Sequence, residues 1–150
     1  ALATGLPVTG ASSLAVMAAA MATDGPAEEA SIRAVAVDAG RDMLYVAHFG
    51  AGSTAEMNRP RLAGSIDAAR LPPAGVAVSA AGSGARAYAA AAARLGRAIA
   101  LDTRADYPDA RALALMASAL PRLDPVRPLY LRQPDARPQV PVMMIGSAPA

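Results

Sequence analysis

Few residues in this chain are able to do chemistry. Cysteine is absent and histidine occurs once, as His48. Disulfides, thiolate metal sites and multi-histidine metal centres are therefore excluded. Asp38 closes an apolar run and could serve as a metal ligand or a general base. Metal sites take several carboxylates and none is paired with it here. A turn aspartate accepting backbone N–H bonds ahead of Gly40 accounts for it better. His48 could act as a base, but it lies in an apolar strand with no nucleophile-elbow motif, which favours a structural histidine. Ser12 and Ser13 could supply a nucleophile, although capping of the next helix explains them fully. Gly82-Ser83-Gly84 precedes a helix whose free N–H groups could cradle a phosphate. The third glycine of a dinucleotide fingerprint is missing, since Ala87 follows Arg86. Tyr130 and Arg132 could touch a partner, or be a buried tyrosine and an exposed arginine.

The elements that would position these residues follow from periodicity. Leu14, Met17, Ala18 and Met21 form one apolar stripe on a helix capped by Ser12 or Ser13. Ahead of it, Pro7 to Gly10 reads as a brief strand. Ile32 to Asp38 and Met43 to Phe49 read as a hairpin, with turn chemistry in Ala39-Gly40-Arg41-Asp42. Met43, Tyr45, Ala47 and Phe49 share one face of the second strand, and Leu44, Val46 and His48 the other. Both faces are largely apolar, so the sheet is expected to be covered on both sides. Arg61 to Ala63 is a short strand and Ser65 to Ala69 a helical turn. Val76 to Ser79 is a small buried strand. Tyr88, Ala91, Ala92 and Leu95 stripe the next helix, with Gly96 as its C′ residue. Ile99 to Leu101 is a strand. Pro108 is expected at the first helical position of a last helix striped by Leu113, Met116, Ala117 and Leu120. Leu129 to Arg132 is the last expected strand, and residues 133 to 150 read as a tail. Together these give an α/β fold: a mixed sheet of about five short strands with helices on both faces.

Composition narrows the function classes. Hydrophobic residues make up 54% and charged residues 17%, which excludes a disordered chain. Aromatics are only 3% and alanine dominates, so the core must use small side chains at close backbone spacing. Every basic residue is arginine, and the formal net charge is only +2. The arginines are scattered singly, so direct nucleic-acid binding is not expected. No run reaches the roughly 18 consecutive apolar residues of a membrane span, and no basic region precedes the apolar 14–22 stretch. A membrane partner is not expected, and a cytoplasmic location is. The chain begins with Ala rather than Met, and a fragment or processed product is expected.

In order along the chain, Gly5-Leu6-Pro7-Val8 with Ser12-Ser13-Leu14, Val37-Asp38-Ala39 with Tyr45, Gly82-Ser83-Gly84, Tyr107-Pro108-Asp109-Ala110 through Leu115, and Pro128 to Arg132 resemble one family. This is the bacterial tRNA threonylcarbamoyladenosine biosynthesis protein TsaB. The resemblance covers residues 1–137 and leaves 138–150 as a tail, expected to be disordered or non-native. It departs at Gly40 and Met43, where the family has arginine and glutamate. It implies the second lobe of an actin-like, RNase H-like fold; the first lobe's Asp-Thr-Ser-type and Gly-Pro-Gly-Ser-Phe-Thr-Gly-type segments are not in this sequence. It marks Asp38, Tyr45, Gly82, Gly84, Pro108, Tyr130 and Arg132 as family-motif residues of structural rather than catalytic role. It implies a non-catalytic scaffold without a cofactor. That scaffold would pair with a TsaD-like catalytic subunit and a TsaE-like ATPase in threonylcarbamoyl transfer to the adenosine beside the tRNA anticodon. The surface facing an absent lobe would favour self-association. The alternatives are a glycoprotease-like peptidase, which one histidine and no cysteine make hard to build, and an RNase H-like binding module.

Overall fold

The computed structural model describes residues 5–21, 32–122 and 127–132. Its centre is a five-stranded sheet in the order β3-β2-β1-β4-β5. The strands are β1 (Ile32–Asp38), β2 (Met43–Phe49), β3 (Arg61–Gly64), β4 (Val78–Ala81) and β5 (Ile99–Leu101). β2 runs antiparallel to β1 and β3, whereas β4 and β5 run parallel to β1. The helices are α1 (Ser13–Met21), α2 (Ser65–Arg70), α3 (Ala85–Arg94) and α4 (Ala110–Met116).

Alternation along the central strands divides the core in two. Ala34 and Ala36 of β1 and Leu44 and Val46 of β2 face one side, where they pack with buried residues of α2 and α3. Val35 of β1 and Ala47 and Phe49 of β2 face the other side, with Leu14, Met17 and Met21 of α1. The mixed sheet covered by helices on both faces is thus present. The expected reliance on small side chains also holds. Ala34, Ala36, Ala80 and Ala92 have no solvent exposure, and alanines of α3 lie on alanines of the sheet. Such packing brings backbones close and leaves little room for error in volume.

The ends of the elements follow local chemistry. Ser12 Oγ accepts the Ala15 N–H at 3.1 Å and caps α1. Gly96 adopts φ +70, and the Gly96 and Arg97 amides donate back to the Ala93 and Ala92 carbonyls, each at 3.0 Å. This is the paired closure that a C′ glycine permits.

Several expectations are corrected. Pro108 is not the first helical residue: Asp109 caps α4 by accepting the Arg111 N–H at 2.8 Å, which pushes the proline outside the helix. The side of α4 that packs on the core also differs from the expected stripe. Ala112 is its buried residue and Met116 packs against the core, while Leu113 is exposed. β4 begins at Val78, two residues after the expected start. Pro7 to Gly10 makes only a single bridge, Thr9 to Arg122. Leu129 to Arg132 is not a strand. It pairs with neither sheet edge, so it lacks the ladder hydrogen bonds that would make it one. The expected tail, 133–150, lies outside the described residues.

Candidate functional site

The glycine turn between β4 and α3 lies at the carboxyl end of the parallel strands, the end where α/β sheets bind ligands. Gly82 has φ +103, and a side chain there would collide with the Ala36 carbonyl oxygen of β1. A Cβ at Gly84 would meet Leu44 Cδ2 at 2.7 Å and Asp38 N at 3.0 Å. The Gly84 N–H donates to the Ala36 carbonyl at 2.9 Å. These glycines therefore seat the start of α3 against the end of β1. Close backbone approach, rather than a ligand, is sufficient reason for both.

The same turn fixes the hairpin. The Asp38 N–H donates to Ser83 Oγ at 3.1 Å, and Asp38 Oδ1 accepts the Gly40 N–H at 2.8 Å. Asp38 is thus the turn aspartate expected from its neighbours. The hairpin tip holds Arg41 and Asp42 at φ 56 and 58, in the left-handed region that glycine or asparagine usually takes. Asp42 is held there by α2: its carboxylate accepts from Ser65 Oγ at 2.7 Å and its carbonyl accepts the Ser65 N–H at 3.1 Å.

Beside the turn is a small cleft of about 80 Å³ lined by Gly82, Ser83, Arg86, Asp102, Thr103 and Asp106, with Ala85 and Leu101. Asp102 is engaged by its neighbour. Arg104 Nε and Nη2 donate to its two oxygens at 2.9 and 2.7 Å, which holds its carboxyl below the usual range. The space is far smaller than the roughly 300 Å³ of ordinary ligand pockets. Two carboxylates on its wall also oppose a phosphate. Among the described residues, no three of His, Asp and Glu cluster as metal ligands would.

His48 lies deeper and on the α3 side, only 2% exposed. Asn58 grips it twice. The His48 N–H donates to Asn58 Oδ1 at 3.2 Å, which turns the amide so that Nδ2 donates to the ring Nδ1 at 3.1 Å. The ring proton then sits on Nε2, which faces the Tyr88 hydroxyl at 3.1 Å. Burial drops the His48 pKa to about 4, and the charges of Arg61 and Arg97 push the same way. Burial lifts Tyr88 to about 12. A buried neutral imidazole with both nitrogens engaged is not available as a base.

Of the motif residues, the fold brings Asp38, Gly82 and Gly84 together. Tyr45 is half-buried in β2 opposite Val37 and Leu62. Pro108 is exposed ahead of α4, Tyr130 is 83% exposed rather than buried, and Arg132 is half-buried. Sequence reasoning missed the Asn58 clamp, the pairing of His48 with Tyr88, and Arg33. Arg33 is 3% exposed and donates to the carbonyls of Ala18, Gly50 and Ser53. Its signal was available: a lone arginine in the apolar run Ile32 to Val37.

No helix among the described residues is long and apolar enough to cross a membrane. No family model matches the chain, and no curated protein matches it. Among solved structures it is similar to the crystal structure of an uncharacterized protein with similarity to peptidase YEAZ from Pseudomonas aeruginosa. The TM-score is 0.64 at 22% identity, over 87% of this chain and 62% of that one. The likeness establishes the fold, and this chain spans less than two thirds of that neighbour's length.

Proposed function

We propose that this chain is a scaffold unit of the TsaB type, supporting threonylcarbamoyl transfer to tRNA through a catalytic partner rather than performing chemistry itself. One observation carries the reading: the fold is that of a protein similar to YEAZ, a label for TsaB, and the ordered motifs from Gly5 to Arg132 independently resemble the same family. Three of those motif residues, Asp38, Gly82 and Gly84, lock the hairpin to the start of α3. That role suits a protein whose work is to hold a shape. The one histidine is buried, neutral and engaged at both nitrogens, so its imidazole offers little support to a peptidase reading.

The test is reconstitution. The chain is mixed with TsaD-like and TsaE-like subunits of the same genome, and threonylcarbamoyl transfer to tRNA is followed with and without it. Co-elution with the TsaD-like subunit and transfer that depends on the chain are expected. Transfer of equal rate without it, or no association with that subunit, overturns the proposal.

A further inference from the structure

The arginines that look scattered in sequence converge in the fold. β3 begins at Arg61, next to Arg59. α2 ends at Arg70 and α3 at Arg94, both helices lying on the same face of the sheet. Arg97 follows α3, and its guanidinium donates to the carbonyls of Ala69, Pro72 and Pro73 at 2.8 to 2.9 Å, which joins the two helix ends. Arg61 and Arg97 both act on the charge of His48, so the β3 side and the α3 side of this rim lie about one buried cluster. Five arginines therefore border one end of the α2–α3 face. Among the described residues the only carboxylate paired with any of them is Asp67, 3.6 Å from Arg70.

The other end of the sheet is different. There Asp38, Asp42, Asp102 and Asp106 sit with Arg41, Arg86 and Arg104, so acids and bases nearly cancel. At the rim, Asp67 removes one of five charges and the two helix carboxyl ends offset about one more. Among the described residues, setting aside Glu56, whose carboxylate takes the Ser12 hydroxyl, a net of about three positive charges remains on one border, and the guanidinium fork suits phosphate oxygens. The described residues of the rim present no exposed aromatic, since Tyr88 beneath it is fully buried. Single-strand binders rely on exposed aromatics for base stacking.

We propose that this rim of Arg59, Arg61, Arg70, Arg94 and Arg97 is a contact surface for the phosphodiester backbone of a double-stranded nucleic acid, RNA being the form tested, held by charge and without base readout. The proposal is independent of the scaffold reading, because the chain alone is tested. The whole chain is the molecule tested, so that every charge of the sequence is present.

The probe is a fluorescent RNA duplex of about 20 base pairs, titrated by anisotropy near 50 mM salt and then at rising salt. Binding is expected to weaken steeply with salt. Arg59→Glu with Arg61→Glu is expected to weaken it at least about tenfold and to lower the salt slope by about 2. Arg41→Glu with Arg111→Glu, an equal charge change away from the rim, is expected to alter it by less than about twofold. Matching melting temperatures check that both variants fold. No duplex binding by the parent chain, equal losses in the two variants, or tighter binding to a polyglutamate peptide or to phosphatidylserine vesicles overturns the proposal.

Discussion

Arg33 and His48 lie on adjacent strands at the same end of the sheet, and the register sets His48 opposite Ala34. Both are almost fully buried, at 3% and 2% exposure, yet the fold handles them in opposite ways. His48 gives up its charge. Its folded pKa is about 4, and both ring nitrogens have partners. Arg33 cannot discharge at any ordinary pH, although burial lowers its pKa. It sits instead among the carbonyls of Ala18, Gly50 and Ser53, with its Nε lacking a partner among the described residues. A titratable group meets burial by losing its proton. A permanent cation needs a cage of oxygens built around it.

Removing that cage's occupant should have the largest effect. Arg33→Ala is expected to cost about 4 kcal/mol, because it leaves a cavity and three carbonyls without their donor. Arg33→Lys keeps the charge but not the fork, and it is expected to lose most of the same stability. Urea melts of both variants check this, and a lysine variant as stable as the parent would show that charge alone suffices.

Acid should act on the other residue. With a folded pKa near 4 and an ordinary value of 6.5, His48 binds its proton more readily in the unfolded chain. Its neutral form is therefore fully compatible with folding above pH 6.5, and stability falls as pH drops from 6.5 toward 4. The loss at the lower limit is about 3 kcal/mol. Urea midpoints measured across that range should slope in the parent and flatten in His48→Phe. A flat parent profile would mean that His48 is not held neutral by burial.

Smaller effects separate the partners. Tyr88→Phe leaves the buried Nε2 proton without an acceptor and is expected to cost about 2 kcal/mol. Asn58→Ala is expected to cost about 1 kcal/mol, since its backbone and ring contacts lie nearer to solvent, where water can replace them. A larger loss for Asn58→Ala than for Tyr88→Phe would place the weight of the cluster on the loop rather than on α3. Thermal melts of the two variants make that comparison.

Much of the scaffold could be read locally. The hairpin of β1 and β2 has the expected bounds, and its alternating faces foretold a sheet covered on both sides. Ser12 and Gly96 were recognisable as caps because a cap is a short-range hydrogen-bond pattern. The last helix was harder to place: Pro108 and Asp109 compete for its start, and its packing buries Ala112 rather than Leu113. Leu129 to Arg132 had the composition of a strand, but no free edge received it.

The candidate site was less accessible from sequence. Gly82-Ser83-Gly84 was visible as a turn before a helix, but its reason, the approach of Ala36 on β1 and Leu44 on β2, comes from two strands far back along the chain. Periodicity and capping act over a few residues, so this sequence dictates most of the elements, their faces and their ends. Strand order and the packing of α2 beside α3 bring together residues far apart in the chain. That is why tertiary structure alone joined His48 to Tyr88, sealed Arg33 among carbonyls, and gathered five scattered arginines on one border.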